Sequence, residues 1–123
     1  MIRISDAEFD RAVEEALADI PPDFARYLEN VVVEVRARPD RKLMVNEDVP
    51  EDALGVYIGV PLDEQGSGAL YPLPDRILIF RENLCAMCES REELIDEIRI
   101  TVLHEVGHHF GLDEDRLDEL GYG

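Results

Sequence analysis

The chain has 123 residues, 46% of them hydrophobic and 33% charged, which suits one soluble globular domain large enough for a single core. Its net charge of −17, from 29 acidic and 12 basic residues, repels a phosphate backbone and so excludes nucleic acid as an expected partner, while neutral or cationic substrates are easily accommodated. No apolar run is long enough to span a bilayer, and the opening MIRISDAEFD lacks the apolar centre of a secretory leader, so the expectation is a cytoplasmic protein of bacterial style that meets no membrane.

Taken in order, Ser5-Asp6-Ala7-Glu8 reads as a capping box. Phe9, Val13, Ala16, Leu17 and Ile20 follow at helical spacing, predicting a helix over Asp6–Ala18 with a solvated acidic face. Pro21-Pro22 ends it, and a short turn of helix is expected over Phe24–Leu28. The β-branched run Val31–Val35 predicts a strand. Arg41 to Asp52 is polar, charged and interrupted by Pro50, and reads as loop. Leu54–Pro61 predicts a second strand, in which Gly55 and Gly59 permit close backbone approach or a bend. Asp63–Gly68 reads as a turn, and Asp75–Phe80 as a third strand. Three strands with helices outside the run predict an α+β fold, a small sheet with helices on one side. No repeat, linker or low-complexity tract interrupts it.

Cys85 and Cys88 form one CxxC. A redox CxxC opens a helix after a strand, and a strand does precede this one. The preferred reading is nevertheless two reduced thiols packed near the start of the next helix. Ser90-Arg91-Glu92-Glu93 is a second capping box, and the helix it begins should run from Arg91 to Phe110, about 30 Å long. Leu94, Ile98, Val102 and Val106 recur at i+4 and face the core with Ile95. Glu97, Thr101, His104 and His108 share another side, within roughly 60° of one another.

That helix carries the chemistry. His104-Glu105-Val106-Gly107-His108 is an HExxH, and all three histidines of the chain lie at or beside it. Histidines four apart differ by only ~40° around a helix, so both imidazoles can reach one ion while Glu105 stands next to it. Zinc lowers the pKa of bound water to about 7, and a neighbouring carboxylate can take the proton during attack on a carbonyl. An ordinary helix with surface histidines is the competing reading, but apolar Thr101-Val102-Leu103 precedes the motif and Gly111 is placed to stop the helix after it. His109, ~100° from His108, reads as packing or as a support behind the ligands, not as a ligand. A catalytic zinc needs three protein ligands. Beyond Gly111 the chain offers only carboxylates: Asp113, Glu114, Asp115, Asp118 and Glu119.

His104-Glu105-xx-His108-xx-Gly111-xx-Glu114 resembles the extended zincin motif HExxHxxGxx(H/D), and the short chain with its motif helix near the end resembles the small bacterial zincin-like metallopeptidases. The resemblance implies a zincin-like core with a twisted sheet, a backing N-terminal helix and the motif helix. It implies Zn2+, peptide hydrolysis, and Glu114 as third ligand, reached by the turn at Gly111. Two departures stand out. Glu114 occupies the place of His or Asp and is one methylene longer than Asp, leaving Asp113 and Asp115 as substitutes, or all three as the start of a last helix, Glu114–Leu120. No Met follows the motif, so the methionine turn of larger relatives is missing. Tyr122 is the candidate floor of the site and a donor to a developing oxyanion, an exposed terminal tyrosine being the alternative.

The expected function is therefore zinc-dependent peptide hydrolysis, with His104, His108 and Glu114 as metal ligands, Glu105 as general base and Tyr122 assisting. The substrate would be a peptide or protein, paired with an exposed strand edge at Leu54–Val60 or Ile77–Phe80. The cleft would be open or covered by the loop from Arg41 to Asp52. The chain would act as a monomer or homodimer. The rival expectation is an inactive zincin-shaped module that binds a metal or a protein partner.

Overall fold

A computed structural model of the chain describes residues 1–59 and 74–111. Among these residues the helices are α1 (Asp6–Ala18), α2 (Pro22–Ala25), α3 (Arg41–Asn46), α4 (Arg81–Met87) and α5 (Arg91–His109), with a 3-10 turn at Arg26–Leu28. The strands are β1 (Val31–Arg36), β2 (Gly55–Ile58) and β3 (Asp75–Phe80). They form one sheet in the order β1-β3-β2, with β1 parallel and β2 antiparallel to β3. The fold is α+β with three strands in one sheet, as the hydrophobic patterning predicts; that the sheet is mixed is not specified by the pattern. The expected turn at Asp63–Gly68, the end of the second strand at Val60–Pro61 and the expected last helix at Glu114–Leu120 lie outside the described residues.

Both helix starts depend on a serine. Ser5 Oγ accepts from Glu8 N–H at 3.1 Å, and Ser90 Oγ accepts from Glu93 N–H at 3.1 Å. The return half of the capping box differs from expectation at both. Glu8 accepts from the Ser5 hydroxyl, and Glu93 accepts from Glu89 N–H. The long helix ends as its sequence dictates, with Gly111 at φ +67°, where a side chain would be strained.

The central strand is apolar on both faces because both faces are covered. Ile77 and Ile79 point into the main core with Phe9, Ala12 and Ala16 of α1 and Leu94, Ile98, Val102 and Val106 of α5. Their neighbours Leu78 and Phe80 point the other way and pack with Val49, Leu43, Val56 and Ile58. This second cluster corrects three expectations. The helices do not all lie on one side of the sheet, since Leu43 of α3 packs on the face away from α5. Arg41–Asp52 is not loop throughout, since Asp40 accepts from Leu43 N–H at 2.8 Å and caps α3. Nor does the stretch cover the cleft: its apolar residues close the face of the sheet away from α5. A further correction concerns β3, which lies between the other two strands and so offers no edge to a peptide. Leu103 joins Phe24 in a third cluster, which anchors the short α2 to the motif helix.

Candidate active site

The motif helix is enclosed on several sides. Thr101, Val102 and Leu103 are consecutive and all buried, which a helix with only one covered face could not achieve. From that buried middle the chain emerges toward the site. His104 and Glu105 are half-buried, Val106 and Gly107 are buried, and His108 is exposed. The His104 and His108 rings lie side by side with centroids 4.3 Å apart and planes inclined by 39°. The structure thus brings together three predicted residues, the two imidazoles and the glutamate between them.

Glu105 is the electrostatically unusual group. Burial pushes its carboxyl above the ordinary range, while His108, His104 and a hydrogen bond from the Tyr57 backbone N–H oppose the rise. A half-buried carboxyl held above its usual range, within reach of a cleft, is suited to accept a proton and give it back.

The pairing of β2 with β3 explains why the Tyr57 backbone N–H is turned toward Glu105. Leu54 O accepts from Phe80 N on β3, so the main-chain groups of alternate residues from Leu54 onward face β3, and those of Gly55 and Tyr57 face the open edge. Side chains alternate as well. Val56 and Ile58 pack in the far cluster, which leaves Gly55, Tyr57 and Gly59 toward α5. A Cβ built on Gly55 would stand 2.7 Å from Thr101 Cγ2 and 2.9 Å from Leu78 O. Glycine therefore lets strand and helix approach closely here. Tyr57 then stacks on His109, with centroids 3.8 Å apart and planes 13° apart. Its hydroxyl donates to Asp75 Oδ2 at 2.6 Å. Burial and Asp75 together push the Tyr57 phenol well up. Asp75 also lies 3.9 Å from His109 Nε2. His109 accordingly packs against the sheet, as its angle on the helix predicts.

Sequence reasoning did not single out Tyr57. A tyrosine flanked by glycines on one face of a strand, opposite a histidine-rich helix, was the available signal. A cleft of about 300 Å³ opens beside these groups. Ala53, Leu54 and Gly55 line one side of it, Ile100 and Thr101 the other, and His104 and Glu105 also border it. Cys88 is buried in the main core at the C-terminus of α4, and Cys85 is a free, partly exposed thiol one turn earlier. They do not open a helix, so their placement is that of packed thiols.

Two histidines make half of a four-coordinate shell, and no group of three or more metal-ligating side chains is formed among the described residues. Glu114 and Tyr122, with Asp113 and Asp115, lie outside them. No helix among the described residues is long and apolar enough to cross a membrane.

No curated protein matches the chain. Among solved structures, a conserved hypothetical protein from T. thermophilus superposes with a TM-score of 0.52 at 24% identity, covering 87% of this chain and 94% of that one. That likeness concerns the fold. The family model of the zincin-like metallopeptidases matches residues 28–123, a span that takes in the whole sheet, the glycine-faced strand and the motif helix together. The chain belongs to the zincin-like metallopeptidase family.

Proposed function

We propose that the chain is a zinc-dependent peptidase in which His104 and His108 hold the metal and Glu105 moves the protons of hydrolysis. The observation that carries the reading is the pair of adjacent imidazoles on α5, with Glu105 half-buried between them at the edge of a cleft. The donor chemistry fits, since neutral imidazole is a ready zinc ligand and nothing bulky separates the two rings. When bound, zinc would supply a Lewis acid for the scissile carbonyl and lower the pKa of an adjacent water. Glu114 is proposed as the third ligand on the strength of the extended motif, with Asp113 and Asp115 as alternatives.

Glu105 would accept the proton of the attacking water and deliver it to the leaving amine. The Tyr57 N–H favours the charged form of this carboxylate from the β2 side of the cleft. Tyr122 is proposed to donate to the oxyanion. An extended peptide would lie along the free edge of β2, pairing with the main-chain groups of Gly55 and with the Tyr57 carbonyl, the Tyr57 N–H being turned toward Glu105. We place the activity in one domain, in the cytoplasm, acting as monomer or homodimer on peptide or protein.

The test is metal analysis of the wild type beside His104→Ala and Glu114→Ala, followed by hydrolysis of an unfolded cationic peptide by Glu105→Gln. Wild type should take up one zinc per chain, and each ligand variant should lose at least ten- to a hundredfold in affinity. Glu105→Gln should keep the metal and lose turnover. A wild type that binds no zinc would point to a protein-interaction module, and turnover surviving Glu105→Gln would remove that residue from the mechanism.

A further inference from the structure

We propose that the cleft beside His104 and Glu105 is a substrate side-chain pocket selective for a long basic residue, with Glu97 as the residue that selects it. The proposal rests on the peptidase reading only for the pocket's relation to a scissile bond.

The cleft combines apolar walls with ionisable side chains, Glu97, His104 and Glu105. Glu97 lies seven residues before His104, about 10 Å along the helix and ~20° around it. The two therefore sit on nearly one line, and both border the same cleft. Between them the walls are Ala53, Leu54, Ile100 and Thr101, and the strand contributes Gly55, which has no side chain to fill the space. A volume near 300 Å³ is enough for one side chain.

Three kinds of occupant can be weighed. An acidic side chain would meet the Glu97 carboxylate and the net charge of −17. A purely aliphatic one would match the walls but would cover a half-buried carboxylate and give it no partner. Lysine or arginine satisfies both features, with methylenes against the walls and the cationic head at Glu97. Glu97 is available for that role. It has no hydrogen bond or ion pair among the described residues, whereas nearby Arg99 is engaged with Asp96 and Asp19.

The pocket is also pre-formed. Asn83 Nδ2 donates to Ala53 O at 2.8 Å and to Glu51 O at 3.0 Å, and Phe80 N–H donates to Leu54 O at 2.9 Å. The wall opposite the helix is therefore tied to α4 and β3, and little ordering is required when a side chain enters.

The test is a binding experiment on Glu105→Gln protein, which removes turnover. Nα-acetyl-lysine methylamide, its norleucine counterpart and its glutamate counterpart are titrated separately, following the methyl signals of Ile100 and Thr101 by NMR. Lysine should bind about tenfold more tightly than norleucine, as expected for one charge-assisted contact at a half-buried site, and glutamate most weakly. The lysine advantage should shrink as salt is raised and vanish in Glu97→Gln/Glu105→Gln. Equal binding of lysine and norleucine, an advantage that survives loss of Glu97, or shifts confined to methyls elsewhere would each overturn the proposal. Lysine-selective binding alongside a wild type that cleaves nothing would uphold the pocket while removing the peptidase reading. Cleavage indifferent to lysine would do the reverse.

Discussion

Replacing Gly55 by alanine tests the contact on which the site's geometry depends. The new methyl would stand 2.7 Å from Thr101 Cγ2 and 2.9 Å from Leu78 O. Comfortable carbon–carbon contact begins near ~3.5 Å, so the strand is short of room by almost an ångström. Leu78 O belongs to the central strand, and Thr101 is buried on α5. Neither retreats cheaply, so β2 must lift. Overpacking of this kind costs about 1–3 kcal/mol. Alanine restricts the unfolded chain more than glycine does and offsets about 0.4–1 kcal/mol of that. The expected net loss is about 1–2 kcal/mol, or a fall in Tm of ~4–8 °C for a domain of this size. Thr101→Ser removes only Cγ2 and so relieves one of the two contacts. In the Gly55→Ala background it should recover about 0.5–1 kcal/mol of what it costs alone. Urea denaturation followed by circular dichroism measures all four corners of the cycle, provided the m-value is unchanged. A Gly55→Ala protein as stable as wild type would refute the reasoning. So would a Thr101→Ser effect that is the same in both backgrounds, because the strand would then have slack that the structure denies it.

Three further outcomes are expected. Ser90→Ala removes the oxygen that caps the 19-residue α5 and should lower stability by about 1 kcal/mol, whereas Ser90→Asp should restore it; the same denaturation assay decides. Asn83→Ala leaves Ala53 O and Glu51 O without their side-chain donor and should cost about 1–2 kcal/mol while weakening lysine binding, a pairing a purely structural role would not produce. Burial, with the charges of Glu93 and Glu97 and the neighbouring Cys85 adding to it and the N-terminus opposing, pushes the Cys88 thiol up to about 11. A folded value above the unfolded one of 9.0 means that this thiol's contribution is fully present below pH 9 and is lost as the pH rises through about 11. The stability difference between wild type and Cys88→Ala should therefore be flat up to pH 9 and shrink above it; a difference that grows over that range would contradict the burial argument.

Elements marked by strong local physics were legible in the sequence. Ser5 and Ser90 start helices because a hydroxyl satisfies an orphan N–H, and Gly111 stops one because it alone tolerates φ +67° without strain. The i+4 row from Leu94 to Val106 named the core face before any neighbour was known. Where identity depends on tertiary context, the same reasoning fell short. Leu43 lies in a charged stretch and looks like loop, yet it packs in the cluster behind Leu78 and Phe80, and α3 follows from that packing as much as from the Asp40 cap. Strand order was equally hidden. Ile77–Phe80 is apolar at every position, which in retrospect signals burial on both faces and hence a central strand, but the pattern does not say which neighbours provide it. At the site, HExxH announced two imidazoles and a carboxylate. The Tyr57 N–H that favours a charged Glu105 could not be announced, because a backbone donor leaves no mark on residue type.

The division of labour on α5 explains why a small domain can afford a polar stripe on its principal helix. Leu94, Ile98, Val102 and Val106 bury against α1 and the sheet, and Leu103 buries against Phe24 on another side. With two sides committed to packing, the row of Glu97, Thr101, His104 and His108 is free to face β2 without weakening the core. Yet that row is not simply surface. Gly55 brings β2 close enough to bury Thr101, and the same closeness half-buries Glu105 and aims the Tyr57 N–H at it. The environment that raises the Glu105 carboxyl is thus made by a missing side chain on the opposing strand. A larger residue at position 55 should disturb stability, the carboxylate and the pocket floor together, whereas a change at His108, exposed at the helix end, should reach only the proposed zinc ligands and leave the core untouched.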